Sequence, residues 1–256
     1  MASDLFDLAG RVAVITGSSR GIGKAIAVEM ARAGARIVVS SRNLAACETV
    51  RDEITAAGGE AMAHACNIGR KAECEALVQA TLTRYGRIDI LVANAAVNPV
   101  FGPLDAVSDE AWDKIMTANV KSSWWLAKLV LPHMAERGSG NLILLSSIAS
   151  FKASKVIGAY GISKAAEAQL ARNLAFEWGT KGIRVNAIAP GLVQTDFARA
   201  LWEDPQTRAD AERRAALGRI GQPRDIAGLA VFLASSAASF ITGQVIVADG
   251  GSTLGE

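Results

Sequence analysis

The 256-residue sequence is poor in the residues that would indicate a secreted, membrane-spanning or metal-binding protein. It has two histidines and three cysteines, and Cys47, Cys66 and Cys74 show no metal-type spacing. An odd number of cysteines fits free thiols in a reducing compartment. No apolar run could span a bilayer, and residues 1–4 lack the basic-then-apolar layout of a signal peptide. We therefore expect a cytoplasmic protein with no membrane partner and no metal.

Blocks of charge of one sign are also missing. The 27 basic and 25 acidic residues leave a net charge of +2, which argues against nucleic acid as a partner. Half of the residues are hydrophobic, which is typical of a globular protein with a sizeable core. The length suits one α/β domain, and there is no linker, repeat or low-complexity stretch. We expect a single domain over residues 1–256.

Short apolar runs alternate with helical patterns along the chain. The predicted strands cover residues 11–16, 36–41, 60–66, 87–96, 141–147, 182–189 and 242–251. The predicted helices cover residues 24–33, 43–57, 70–85, 108–137, 159–180 and 222–234. This alternation predicts an α/β fold, with a doubly wound, Rossmann-type parallel sheet of about seven strands and helices on both faces.

The segment 195–218 breaks this alternation. It is charged and alanine-rich, and it predicts one or two surface helices inserted after a strand. An insertion at that place could form a lid or a substrate pocket. Apolar residues in and near it predict a mainly apolar substrate: Val100, Phe101, Val156, Leu201 and Trp202.

A glycine-rich loop follows the first predicted strand and precedes the first helix. Gly17, Gly21 and Gly23 are spaced Gly-x-x-x-Gly-x-Gly, which differs from the common Gly-x-Gly-x-x-Gly fingerprint. Glycines allow a tight turn and let backbone N–H groups approach a pyrophosphate at a helix start. The context favours a dinucleotide site over a plain glycine-rich turn.

The end of the second strand indicates which dinucleotide would bind. An acidic residue there would hold the ribose hydroxyls of NAD, whereas an arginine accommodates the additional phosphate of NADP. The sequence has Ser40-Ser41-Arg42-Asn43, without an acid, and Arg20 is a second candidate cation. We therefore predict NADP(H). The alternative is that Arg42 only begins the next helix in solvent.

The candidate chemistry lies between residues 141 and 164. An apolar run ends in two serines, Ser146 and Ser147, and Tyr160 and Lys164 lie one turn apart on the following helix. A phenol has a pKa of about 10, and a nearby ammonium lowers that pKa by stabilising the phenolate. The phenol could then exchange a proton with a carbonyl or alcohol oxygen that Ser147 holds. Taken alone, the pair could also belong to an ordinary amphipathic helix.

Together these motifs resemble the short-chain dehydrogenase/reductase family over almost the full chain. Several motifs in the right order are more specific than any one of them. The matching pieces are Thr16–Gly23, Asn94-Ala95-Ala96, Asn119-Val120, Ser147, Tyr160-Gly161-Ile162-Ser163-Lys164, Pro190-Gly191 with Thr195, and the ending from Thr242-Gly243 to Asp249-Gly250-Gly251.

The resemblance implies hydride transfer between C4 of nicotinamide and a carbonyl carbon. Tyr160 would be the general acid/base, Lys164 would lower its pKa and bind the nicotinamide ribose, and Ser147 would hold the substrate oxygen. Asn119 would support a water-linked proton relay through Lys164. The implied cofactor residues are Gly17, Ser19, Arg20, Gly21, Ile22, Gly23, Ser41, Arg42, Asn67, Ile68, Asn94, Ala95, Tyr160, Lys164, Pro190, Gly191, Val193 and Thr195.

Within the family the chain is most similar to the NADP(H)-dependent carbonyl reductase branch. That similarity implies a small to medium carbonyl or secondary alcohol as substrate and a homotetramer, with Trp124-Trp125 and Phe176–Trp178 between subunits. Asn67 stands where the family often has Asp. Two alternatives stay open. A 3-oxoacyl thioester reductase would share the catalytic residues, and a nucleotide-sensing regulator would keep the fold without the chemistry.

Overall fold

The computed structural model describes residues 4–255, and its centre is a seven-stranded parallel sheet with the strand order β3-β2-β1-β4-β5-β6-β7. The strands are β1 (Val12–Thr16), β2 (Arg36–Ser41), β3 (Ala61–Ala65), β4 (Ile90–Ala93), β5 (Gly140–Leu145), β6 (Ile183–Pro190) and β7 (Val245–Ala248).

Helices connect these strands and cover the sheet. They are α1 (Gly21–Arg32), α2 (Leu44–Ala56), α3 (Lys71–Tyr85), α4 (Asp109–Ile115), α5 (Ser122–Glu136), α6 (Gly158–Trp178), α7 (Pro205–Arg214) and α8 (Pro223–Ala234). Short 3₁₀ turns include Ile148–Ser150 after β5 and Asp196–Leu201 after β6. Within residues 4–255, no helix combines the length and the apolar character that crossing a membrane requires.

The sheet separates two hydrophobic cores. One core packs α1, α2 and α8 against one face, and the other packs α3, α5 and α6 against the opposite face. Strand β1 is buried along its whole length because both of its faces are covered. The predicted doubly wound α/β fold is confirmed, including the count of seven strands.

Three predicted elements differ clearly from the structure. The last strand was predicted with its tail over residues 242–251, but only Val245–Ala248 pair in the sheet. The fourth strand was predicted over residues 87–96, but only Ile90–Ala93 pair in the sheet. The chain leaves the ladder at Asn94, whose backbone N–H donates to Oγ1 of Thr16 at 3.1 Å. The sequence alone did not indicate this side-chain acceptor.

The single helix predicted over residues 108–137 is divided. A π-helical segment, Met116–Lys121, separates α4 from α5. The hydroxyls of Ser122 and Ser123 donate to the carbonyls of Ala118 and Asn119, at 2.6 and 3.1 Å. Local side-chain bonds of this kind compete with the regular α-helical pattern, and π segments are frequent at functional sites.

The predicted insertion over residues 195–218 contains one 3₁₀ turn and α7. Thr195 caps the 3₁₀ turn by accepting from the N–H of Ala198 at 3.3 Å. Asp204 caps α7 by accepting from the N–H of Thr207 at 2.7 Å. The insertion therefore has local structure of its own beside the carboxyl ends of the strands.

Candidate active site

A large cleft of about 1290 Å³ lies along the carboxyl ends of the strands. The strand order reverses between β1 and β4, and open parallel sheets bind ligands at that switch point. Ser147 and every residue predicted to bind the cofactor line this cleft. Asn119 does not line it and lies buried behind its wall.

The glycine loop is shaped as a dinucleotide site requires. Gly17 and Gly21 have φ angles of 66° and 58°, which L side chains rarely adopt. A Cβ on Gly23 would lie 2.4 Å from the carbonyl oxygen of Gly17. Arg20, at the N-cap of α1, makes no side-chain capping bond. The first N–H groups of α1 therefore face the cleft without a side-chain cap, and the loop fits a pyrophosphate.

Asn94 joins the glycine loop to the end of β4. Its amide nitrogen donates to the carbonyl oxygens of Thr16 and Gly17, at 2.8 and 3.1 Å. A Cβ on Gly17 would come within 2.9 Å of that amide and of Cα of Ala95. Asn94 was predicted only to line the nucleotide. The structure also shows it holding the loop in place.

The two arginines predicted to bind a phosphate have different surroundings. Arg42 is exposed beside Ser41 and makes no ion pair or side-chain hydrogen bond with any residue between 4 and 255. Arg20 is also exposed, and its guanidinium lies 3.4 Å from Asp196 of the insertion. Arg42 is therefore the better placed of the two to receive an anion without losing a protein partner.

Tyr160 and Lys164 lie on the same face of α6, as predicted from their spacing. Nζ of Lys164 lies 5.5 Å from the centroid of the Tyr160 ring. Lys164 is only 2% exposed, and its ammonium donates to the carbonyl of Leu145 at 2.6 Å and to Oε2 of Glu167 at 2.5 Å. The ammonium is thus held between β5 and α6, beneath the phenol.

The pKa of Tyr160 reflects opposing influences. Burial raises it above its ordinary value of 10.0, and this is the largest effect. The charge of Lys164 and the neighbouring Ser147 hydroxyl lower it, whereas Glu167 raises it again. Lys164 acts in the predicted direction. In the protein alone, however, the net pKa of Tyr160 is raised because burial and Glu167 outweigh the ammonium and Ser147.

Ser147 reaches the phenol through a close contact between two segments. It precedes the turn Ile148–Ser150, where its hydroxyl accepts from the N–H of Ala149 at 3.1 Å. A Cβ on Gly161 would lie 2.8 Å from the carbonyl oxygen of Ala149. The glycine after Tyr160 therefore lets α6 approach this turn, which brings Tyr160 beside Ser147.

Asn119 lies in the π-helical segment and is fully buried. Its side-chain oxygen accepts from the N–H of Val97 at 2.8 Å. Its amide nitrogen donates to the carbonyl of Val97 and to the hydroxyl of Ser163, both at 3.0 Å. These bonds join the segment after β4 to α6 and use both N–H groups of the amide, while the relay through Lys164 stays a prediction.

The substrate end of the cleft has aromatic and aliphatic walls. Phe101 and Leu201 line it as expected, but Val100, Val156 and Trp202 do not. The indole of Trp202 donates instead to the carbonyl of Thr195 at 2.8 Å. The ring of Phe197 lies 5.9 Å from that of Tyr160. Asp113, Lys114 and Lys152 also line the cleft, and these charged groups were not part of the apolar prediction.

Comparison with known proteins gives consistent matches over nearly the whole chain. A family profile described as enoyl-(acyl carrier protein) reductase matches residues 17–253. Dehydrogenase/reductase SDR family member 4 of Oryctolagus cuniculus is 42% identical over 244 residues, which cover 95% of this chain and 94% of that protein.

Two solved structures are similarly close. A gluconate 5-dehydrogenase from Burkholderia cenocepacia, in complex with NADP and tartrate, has a TM-score of 0.95 and 36% identity, with all of both chains covered. A 7α-hydroxysteroid dehydrogenase complexed with NADH and 7-oxo glycochenodeoxycholic acid has a TM-score of 0.94 and 39% identity, with 98% of this chain and 97% of that chain covered.

The sheet, the cleft at its switch point and these relatives define an oxidoreductase with a Rossmann-type fold. The chain belongs to the short-chain dehydrogenase/reductase family. Sequence analysis gave no role to Glu167, although its spacing of three residues from Lys164 on a helix indicated contact between the two.

Proposed function

We propose that the protein transfers a hydride between NADP(H) and the carbonyl or secondary alcohol of a small to medium, mainly apolar substrate. The observation that carries this proposal is the arrangement around Tyr160. Its phenol lies above the buried Lys164 ammonium, beside Ser147, in a cleft whose other end has a glycine loop suited to a pyrophosphate.

Tyr160, Ser147 and Lys164 have different roles at the substrate oxygen. The nicotinamide, when bound, supplies or accepts the hydride. Tyr160 donates a proton to the carbonyl oxygen during reduction and removes it during oxidation. The hydroxyl of Ser147 orients that oxygen and stabilises the charge that develops on it. Lys164 favours the phenolate and has a remaining N–H with which to hold the ribose.

The preference for NADP(H) rests on the end of β2. Ser41 and Arg42 line the cleft there without an acidic residue, and a guanidinium can bind a phosphate by two parallel hydrogen bonds. The relatives alone leave the choice open, since one is a complex with NADP and another a complex with NADH.

A reductase of 3-oxoacyl thioesters is the second candidate, and the description of the matching family profile favours it. An acidic carrier protein would need a basic surface beside the cleft. Arg199 pairs with Asp196 at 2.7 Å, Arg208 pairs with Glu212 at 2.8 Å, and Arg213 pairs with Asp210. Much of the basic charge of the insertion is therefore balanced, and we place this candidate second.

We also propose a homotetramer and a single cytoplasmic domain. Phe176 on α6 is 92% exposed, and Trp124 on α5 is exposed beside Lys128. Large exposed apolar side chains on adjacent helices favour burial between subunits. The three cysteines are buried free thiols, which supports a reducing compartment. Sedimentation of the protein would test the assembly.

The experiment for the reaction is the substitution Tyr160→Phe. Loss of the phenol should lower kcat for reduction by about 10²–10⁴-fold, because proton transfer at the substrate oxygen is lost. The affinity for NADPH, measured by fluorescence titration, should stay close to that of the unchanged protein. Turnover should be followed by NADPH absorbance over ketones, aldehydes and 3-oxoacyl thioesters.

Tyr85→Phe is the matched control, since Tyr85 is the other tyrosine of the chain. Its hydroxyl is buried and has no hydrogen-bond partner among the described residues, so its removal should leave turnover unchanged. Normal turnover in Tyr160→Phe would exclude the proposed chemistry. Preference for thioesters over simple ketones would favour the second candidate.

A further inference from the structure

A buried carboxylate lies directly beneath the catalytic pair. Glu167 is 0% exposed, and its Oε2 is 2.5 Å from Nζ of Lys164, three residues earlier on α6. Its Oε1 accepts from the hydroxyl of Ser123 on α5 at 3.0 Å. Ser123 is buried as well, and its hydroxyl also contacts the carbonyl of Asn119 at 3.1 Å.

Packing alone gives no reason for a charge at this place. The neighbouring positions on the same face of α6 are Ala168, Ala171 and Leu174, and all are buried and apolar. A buried ion pair recovers little more than its desolvation cost, so an apolar residue of similar size would serve stability as well. A carboxylate here therefore indicates a role in the function of the lysine.

We propose that Glu167 is a positioning residue, which fixes the Lys164 ammonium against β5 and offsets part of its charge beside Tyr160. This inference rests on the proposed function of Tyr160 and Lys164, and it adds a residue that sequence analysis did not assign.

The fixing role follows from counting donors. A lysine ammonium has three N–H groups. One donates to the carbonyl of Leu145 at the end of β5, and one donates to Glu167. These two anchors lie on different elements, so they set the direction of the third N–H toward the cleft. Without Glu167, only the Leu145 carbonyl would orient the ammonium.

The charge-offsetting role depends on what surrounds the carboxylate. Lys164 and Tyr160 are the titratable groups whose charges act on it. The group that contacts it from another packed element is neutral: the Ser123 hydroxyl on α5, which donates to its Oε1 at 3.0 Å. Glu167 raises the pKa of Tyr160, in opposition to Lys164.

The carboxylate also keeps the lysine charged. Burial is the largest single influence and disfavours the ammonium, but Glu167 and Tyr160 together outweigh it and raise the pKa of Lys164 above its usual value. The Lys164 side chain therefore stays protonated, and the negative charge of Glu167 weakens the effect of the ammonium on the pKa of Tyr160. Tyr160 should consequently stay protonated, and ready to donate, over a wider pH range than an unbalanced ammonium would allow.

The test uses Glu167→Gln, which keeps the shape and an acceptor for Lys164 but removes the charge. In alcohol oxidation, kcat/KM should rise with pH as Tyr160 loses its proton. We expect the midpoint of this rising limb to move by about one pH unit toward acid. The plateau kcat should stay within about twofold, because the ammonium keeps its anchor. In Glu167→Leu, the anchor is lost, and kcat should fall by up to about 100-fold.

A measurement without substrate separates this inference from the proposed function. In a Tyr85→Phe background, Tyr160 is the remaining tyrosine, so the tyrosinate absorbance in the near ultraviolet reports its ionisation alone. At the highest pH at which both proteins stay folded, Glu167→Gln should contain more tyrosinate. This result can be obtained even if no substrate is turned over.

Glu177→Gln is the matched control, since it removes one exposed carboxylate from the same helix. It should change neither the pH limb nor the tyrosinate content. An equal tyrosinate content in Glu167→Gln and the unchanged protein, or a limb that moves toward alkaline pH, would overturn the proposed role. Turnover failing in the unchanged protein, with the tyrosinate difference present, would reject only the proposed function.

Discussion

Charged residues are buried at the floor of the cleft, around Lys164 and Glu167, and exposed at its rim, around Arg20, Arg42 and Asp196. At the floor, Lys164 and Glu167 are almost completely buried and are held by specific partners on β5 and α5. At the rim, Arg20 and Asp196 are exposed at 3.4 Å from one another, and Arg42 lies in solvent. An oppositely charged pair is therefore buried away from water in one region and screened by solvent in the other.

This difference separates two tasks. A buried charge acts strongly on its neighbours, because the surrounding dielectric is low and water does not screen it. Exposed pairs contribute little to stability, so the arginines of the rim can exchange protein partners for a ligand at low cost. We infer that the floor sets the acidity of the phenol, whereas the rim selects the dinucleotide.

The largest expected effect comes from Lys164→Met, which removes the buried ammonium at the floor of the cleft. Glu167 would then be a buried carboxylate without a counter-charge, which should lower the free energy of unfolding by about 3–5 kcal/mol at neutral pH. The double variant Lys164→Met/Glu167→Leu should regain most of that stability and still lack activity. Chemical denaturation measures both. Equal stability of the single variant and the unchanged protein would contradict a strong interaction between Lys164 and Glu167.

The same variant should show a defined pH dependence. Burial raises the pKa of Glu167, and Lys164 lowers it, so removing the lysine raises that pKa further. The folded state then binds its proton more tightly than the unfolded state does, whose glutamate pKa is about 4.3. Stability falls as pH rises above that value. The deficit of Lys164→Met should therefore shrink toward acidic pH.

An intermediate effect is expected at the rim from Arg42→Ala. Losing a charge-assisted phosphate contact should weaken NADP(H) binding by about 10- to 100-fold and leave NAD(H) binding nearly unchanged. Arg70→Ala is a suitable control, since Arg70 lines the same cleft but pairs with Glu73 at 3.0 Å. Equal weakening of both dinucleotides, measured by fluorescence titration, would contradict a role for Arg42 in selection.

The smallest effect is expected from Asp196→Asn. The exposed contacts to Arg20 and Arg199 would be lost, and the thermal midpoint should not change measurably. Releasing Arg20 should tighten NADPH binding by a few-fold, more at low salt than at high salt. A large loss of stability would mean that the exposed ion pairs at the rim stabilise the fold as strongly as the buried pair of Lys164 and Glu167.

The sequence predicted the architecture well for reasons that are local. Buried β-branched runs such as Val12–Thr16, followed by glycines and an amphipathic helix, specify strand, turn and helix from neighbouring residues alone. The predicted lengths were less accurate where a distant group intervened. Strand β4 ends at Ala93 because Thr16, far away in the chain, accepts the next N–H.

The site was likewise predictable where it depends on residues close in the chain, and not where it depends on distant ones. The sequence by itself determined the order of strands and helices, the glycine loop and the placement of Tyr160 and Lys164 one helical turn apart, because each depends on residues close in the chain. Only the tertiary structure decided that Glu167 is buried against the lysine, that Asn119 bonds to protein groups and that Arg42 rather than Arg20 lacks a partner among residues 4–255. Those properties depend on burial and on contacts between elements, since both the strength of a charge and the partners of an amide are set by what folding brings around them.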